Sequence, residues 1–200
     1  MILSSEEGRS ALTAVVAAGV ELSAVRLAEA TNDAWRVHGV SLSLDEAGPF
    51  AAEHATVAAD HYGSHFAFPG GSFLVLFSGK SGYLVTTAFT RDYQDRVENM
   101  AARESVALGE VANILLNPLV GHLAKSWGVR LIISAPKTKV ASPRDHLTRA
   151  LERYRDGDRL AATFFAAMNS PQLFSECRIL LFLDRDFVGR IAGPGGTAPA

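Results

Sequence analysis

The 200-residue sequence predicts an α+β fold in which an antiparallel-rich sheet packs against long helices and one helix, strand and hairpin unit occurs twice. Three observations predict it. Two long segments carry apolar residues at helical spacing, Leu12 toward Ala34 and Arg103 to Leu115. Short β-rich runs follow each of them. Sliding the chain by 89 positions lays Glu21 on Glu110, Leu27 on Leu116, Gly39-Val40 on Gly128-Val129 and Leu42 on Leu131, each in the same local context.

Taken in order, Ser4 and Glu7 form a capping box that opens the first helix, which runs toward Ala34. His38 to Leu44 alternates like a half-buried strand, Gly48-Pro49 ends it, and a short helix is expected over Phe50 to His61. Ser72 to Phe77 and Tyr83 to Ala88 are rich in β-formers, so Ser78 to Gly82 reads as the tip of a hairpin. Thr90 is a good N-cap for the next helix. Asn117-Pro118, an N-cap followed by proline, leaves open a division of that segment into two helices. Trp127 to Ile133 is the next expected strand, and Ser142-Pro143 opens a helix to about Arg155. Strands are expected from Leu160 to Met168 and from Glu176 to Leu183. Beyond Ile191 the Gly/Pro/Ala-rich end has the composition of a flexible tail. Phe73 to Phe77 has a counterpart in Arg178 to Phe182 at a different offset. The reading is therefore one domain over 1–190, built from pseudo-repeats at about 4–89 and 90–190, with 191–200 as a tail.

Composition narrows the function. With 48% hydrophobic residues the chain can fill one sizeable core. Its net charge of -2, without a basic block, lacks the footprint of a nucleic-acid binder. The apolar run from Ala11 stops at Glu21, short of a bilayer, and the first residues are acidic where a signal peptide is basic, so a cytoplasmic protein without a membrane partner is expected. The single Cys177 can form no internal disulfide and reads as a core thiol in a strand.

Glu110-Val-Ala-Asn113 sets a carboxylate and a carboxamide three residues apart on one face of an apolar helical run. Alone, such a pair is also what the solvated stripe of an amphipathic helix looks like. Gly79-Lys80-Ser81 echoes the end of a phosphate-binding loop but lacks the upstream glycine and, as a hairpin tip, the helix that should follow. His54, His61 and His65 with Asp60 lack a fourth anchor for a metal, and Lys137-Thr-Lys139 reads as a solvated loop that could meet an acidic surface.

Three stretches together resemble the CheC family of response-regulator phosphatases, which includes CheX and the phosphatase-like part of FliY. They are Phe77 to Phe89, Ala107 to Leu115 and Trp127 to Pro136. The family motif is an Asp or Ser, three residues, Glu, two residues, Asn, then 22 residues to a Pro. This chain matches it at Glu110, Asn113 and Pro136. The resemblance implies hydrolysis of an aspartyl phosphate on a CheY-type receiver domain, with Glu110 and Asn113 as the catalytic residues. It implies no cofactor of the chain's own and a Mg²⁺ on the partner receiver. It departs from the motif at Val106, which stands four before Glu110 where the family has Asp or Ser, while Ser105 is turned about 100° away. In the first half, Ala24 and Ala47 stand where Asn and Pro are required, so one site is expected. The alternative is a non-catalytic module that binds a receiver or a flagellar-switch component through the same helix. Both halves in one chain make a monomer feasible and leave self-association through the hairpins open.

Overall fold

The computed structural model describes residues 2–44, 59–91, 100–154 and 160–191, with the backbone alone for 2 and 100–103. A short 3₁₀ turn, Ile2–Ser4, precedes α1 (Glu6–Thr31) and β1 (Arg36–Leu44). The hairpin β2 (His61–Phe68) and β3 (Gly71–Ser78) leads into α2 (Gly79–Phe89). The second half runs through α3 (Met100–Trp127), β4 (Lys137–Ala141), α4 (Pro143–Glu152), β5 (Leu160–Ser170), β6 (Ser175–Asp184) and α5 (Arg185–Ile191).

All six strands join one sheet in the order β1-β5-β6-β3-β2-β4, and every neighbouring pair is antiparallel. The order is a palindrome of the two halves. β3 and β6 pair at the centre, with Phe73 opposite Leu181, Val75 opposite Ile179 and Phe77 opposite Cys177. β2 and β5 flank them, and β4 and β1 form the edges. Each long helix, α1 and α3, opens its half, and each short helix, α2 and α5, closes it. The duplication seen as a sequence shift is thus a pseudo-two-fold axis through the sheet, each half giving its first strand to the other half's hairpin.

One sheet face carries the main core. Phe66, Phe73, Val75, Phe77, Ile179 and Leu181 meet Leu12, Val16, Val20 and Leu27 of α1 and Leu108, Leu115, Leu116 and Leu119 of α3. Each such side chain contributes about 1.5–3 kcal/mol by leaving water. Two helices, over Glu6–Thr31 and Glu104–Trp127, are long and apolar enough to cross a membrane by length and composition. Here their apolar stripes face this core and each other, and at the crossing Gly19 lets α1 approach Leu119. Among the described residues, the opposite sheet face carries α4, whose Leu147 and Ala150 cover Leu74, Leu76, Leu180 and Phe182.

Several local expectations are corrected. Ser5, the first residue past the 3₁₀ turn with extended backbone, caps α1 in place of Ser4, accepting from the Gly8 N–H at 3.0 Å. Asn32 in the left-handed region ends that helix short of Ala34. Tyr83 to Ala88 is helix, not strand. Ser78 caps α2 through the Ser81 N–H, and Val85 and Thr86 are buried by the helix. The hairpin lies earlier, at Pro69-Gly70, where proline and a glycine at φ +107° suit a type II turn. Thr90 is the C-cap of α2 rather than an N-cap, its N–H returning to the Thr86 carbonyl at 2.9 Å. α3 is continuous and carries Pro118 inside it. It ends at Gly128, φ +63°, where the Val129 N–H reaches the Ala124 carbonyl at 3.0 Å, the bond of a Schellman motif.

Residues 129–133 keep the alternation read from sequence but form no strand ladder, so the first strand of this half is β4. His61 begins a strand. The rest of the expected 50–61 helix, at 50–58, and the tail at 192–200 lie outside the described residues. Ser142 caps α4 at 3.1 Å from the Asp145 N–H, and β5 and β6 cover the two expected C-terminal strands.

Candidate functional site

α3 presents two faces. Leu108, Val111, Ala112, Leu115 and Leu116 are buried. At 100° per residue, Val106, Glu110, Asn113 and Asn117 fall within an arc of about 60° on the outer face. There Glu110 and Asn117 are exposed, Asn113 is half-buried and Val106 is 69% exposed. The carboxylate and the carboxamide therefore lie side by side. Among the described residues neither makes a hydrogen bond or an ion pair. Ser105 is half-buried and off this arc, so it does not replace the missing Asp or Ser at Val106.

The turn that carries Glu110 is pinned against the sheet edge. Gly109 is buried, and a Cβ there would stand 3.0 Å from Thr138 Oγ1 and 3.5 Å from Pro136 Cγ. A side chain there would push Thr138 back by a few tenths of an ångström, so glycine lets α3 sit closest to the edge. Thr138 is held by Ser64, its hydroxyl 2.8 Å from the Ser64 hydroxyl across the β2–β4 pairing. Pro136, distant in sequence, thus packs on the residue next to Glu110. A turn earlier, the Tyr62 hydroxyl of β2 donates to the Glu104 carboxylate. Burial, followed by the bond to Glu104 and its charge, pushes the Tyr62 phenol up to about 12, so it stays a donor at neutral pH.

The equivalent face of α1 is not built this way. Glu21 is exposed, but Ala24 is turned into the core.

The remaining candidates resolve differently. A helix does follow Gly79-Lys80-Ser81, contrary to the hairpin reading, but Leu74 stands where the first glycine of a phosphate loop belongs and β3 runs straight into α2. His61 and His65 both lie in β2. The His61 Nδ1 is 2.9 Å from the Ala59 carbonyl, and the His65 Nε2 is 3.2 Å from Nδ1 of His146, a partner that sequence spacing could not supply. His54 lies outside the described residues, and among those described no group of three His, Cys, Asp or Glu could hold a metal. Lys137 and Lys139 belong to the edge strand β4, not a loop. Cys177 is fully buried between β3 and β5, and burial pushes its thiol up.

The architecture defines a class: two pseudo-repeats around one antiparallel sheet, with a polar pair on the outer face of the second long helix. No family model and no curated protein matches the sequence. Among solved structures the fold is similar to FliY of Thermotoga maritima, at 13% identity and TM-score 0.66, with 94% of each chain covered. It is similar also to the FliM middle domain of H. pylori, at 7% identity and TM-score 0.62, over 94% of this chain and 97% of that one. CheX from Desulfovibrio desulfuricans aligns at 11% identity and TM-score 0.55, over 84% of this chain and 98% of that one. The chain has a CheC/CheX/FliY-like fold.

Proposed function

We propose that this protein is a cytoplasmic phosphatase for the aspartyl phosphate of a CheY-type receiver domain, with one active site on α3. The observation that carries the reading is the pairing of Glu110 and Asn113 on an outer helix face, both without partners among the described residues and both on the turn that packs against Pro136. A carboxamide suits the task because it can donate to and accept from one water without placing a charge beside the phosphoryl group. Asn113 orients that water in line with the phosphorus, where alignment supplies the acceleration without a covalent intermediate. Glu110 grips a cationic side chain of the receiver and helps fix the water. A Mg²⁺ held by the receiver would supply neutralisation of the phosphoryl charge.

Replacing Asn113 by Ala should abolish accelerated phosphate release from a phosphorylated receiver. The fold should survive, at a cost below about 1 kcal/mol for a surface-facing helix position. An Ala variant that released phosphate as fast as wild type would remove the assignment.

One observation favours a second reading. Val106, 69% exposed at the first motif position, offers an apolar contact where the family motif has Asp or Ser. A receiver-binding or switch-like module would use the same face for adhesion alone. Binding of the receiver by wild type with no faster loss of phosphate decides for it.

A further inference from the structure

We infer that the cleft between the β4 edge and α4, on the sheet face away from α3, binds a small diphosphate-bearing compound. The cleft measures about 410 Å³, the size of a small-molecule site. Strand alternation aims its walls. Lys137 lies opposite His65 and Lys139 opposite Gly63, so both lysines share the sheet face on which His146 of α4 packs. Arg149 and Arg153 close the cleft from the α4 side, Ala67 and Ala150 give it an apolar floor, and Ser72 and Ser134 add hydroxyls.

Four cationic side chains from two elements thus line one concavity, and among the described residues no carboxylate lines it. Arg153 is anchored, donating to the Gly71 carbonyl at 2.6 Å. Lys137, Lys139 and Arg149 make no ion pair among the described residues, whereas Arg178 has Glu176 at 3.6 Å. In a chain of net charge -2 this is a local concentration of positive charge. His65, on the cleft wall, registers it. Burial first, then the charges of His146, Arg149 and Lys139, pull its pKa down to about 4, so it stays neutral at pH 7 and leaves the positive charge of the cleft to the lysines and arginines. A planar guanidinium beside two compact ammonium groups suits adjacent phosphoryl groups, and several positive charges match more than one negative one. The apolar floor allows the diphosphate an organic body.

The test is calorimetric titration of the full chain, at 150 mM salt to suppress diffuse attraction, with inorganic pyrophosphate and with ADP as probes. Saturable one-site binding is expected. Lys139→Glu and Arg149→Glu should each weaken it by about tenfold or more, while Arg26→Glu on α1 should leave it unchanged. Circular dichroism checks each fold, and Lys139→Gln with Arg149→Gln replaces any charge reversal that unfolds. Tighter binding of ADP than of pyrophosphate assigns a role to the floor, and equal binding assigns recognition to the diphosphate alone. Saturation by neither probe, or wild-type affinity in the cleft variants, would overturn the inference. Because Glu110 and Asn113 lie on the other side of the sheet, Asn113→Ala should bind both probes as wild type does.

Discussion

Replacing Gly63 by Ala tests the packing behind the β2–β4 edge, which supports both the α3 site and the cationic cleft. A Cβ at this position would lie 2.3 Å from both Cε1 and Nδ1 of His146, and 2.7 Å from Nε2. Normal contact requires about 3.5–4.0 Å, so the ring must withdraw by more than about 1 Å. It has nowhere to go without loss, because His146 is fully buried, with Nε2 3.0 Å from the His61 carbonyl and Nδ1 3.2 Å from His65. Two lost hydrogen bonds cost about 1–3 kcal/mol, and overpacking adds about 1–3 kcal/mol. Ala regains about 0.5–1 kcal/mol over Gly in a strand. The balance is a loss near 3 kcal/mol, read by urea unfolding. Repeating Gly63→Ala in a His146→Ala background removes the obstacle, and there it should be neutral or slightly stabilising. Stability within about 0.5 kcal/mol of wild type, or an unchanged cost in the His146→Ala background, would refute the account.

Other outcomes follow from the same structure. His65, held near 4, and His146, lowered mainly by burial, are bases depressed below their unfolded value of 6.5. Their contribution is complete above 6.5 and lost as pH falls toward 4, because the unfolded chain then binds protons that the folded chain refuses. A pH series of unfolding midpoints should show this acid limb, and His65→Asn should flatten it. Tyr62→Phe removes the donor to Glu104 and should cost about 1–2 kcal/mol in thermal or urea unfolding; no change would mean that this bond does not hold α3. The Cys177 thiol should resist a thiol reagent in the native protein and react promptly in denaturant. Fast native labelling would contradict its burial.

How much of this was legible from sequence depended on whether the signal was local. Ser142-Pro143 specified a helix start through its own side chain and ring, and it is one. The apolar stripes of α1 and α3 and the continuous runs of β5 and β6 were equally plain. Tyr83 to Ala88 was misread because its β-branched residues favour strands, and the decisive facts were elsewhere: Ser78 capping the turn, and Gly82 meeting the Tyr62 ring, to which a Cβ would come within 2.5 Å. β2 was missed because His61, Gly63, Ser64 and His65 look like loop or ligand residues. Their ladder bonds come from β3 and β4, remote in sequence. Val129 to Ile133 alternates as a strand does, yet an alternating pattern does not supply a hydrogen-bonding neighbour.

Glu110, Asn113 and Pro136 were visible as a spaced pattern, and helical periodicity alone placed the first two on one face. That Glu110 is exposed, that Asn113 is half-buried, and that Pro136 lies against Gly109 required the tertiary structure. So did the union of Lys137, Lys139, Arg149 and Arg153 around one cleft. The sequence by itself determined what each residue can do and which neighbours within a helical turn share its face, since those follow from covalent geometry. The tertiary structure decided which edges pair and which distant side chains meet, because these depend on burying both halves against one sheet.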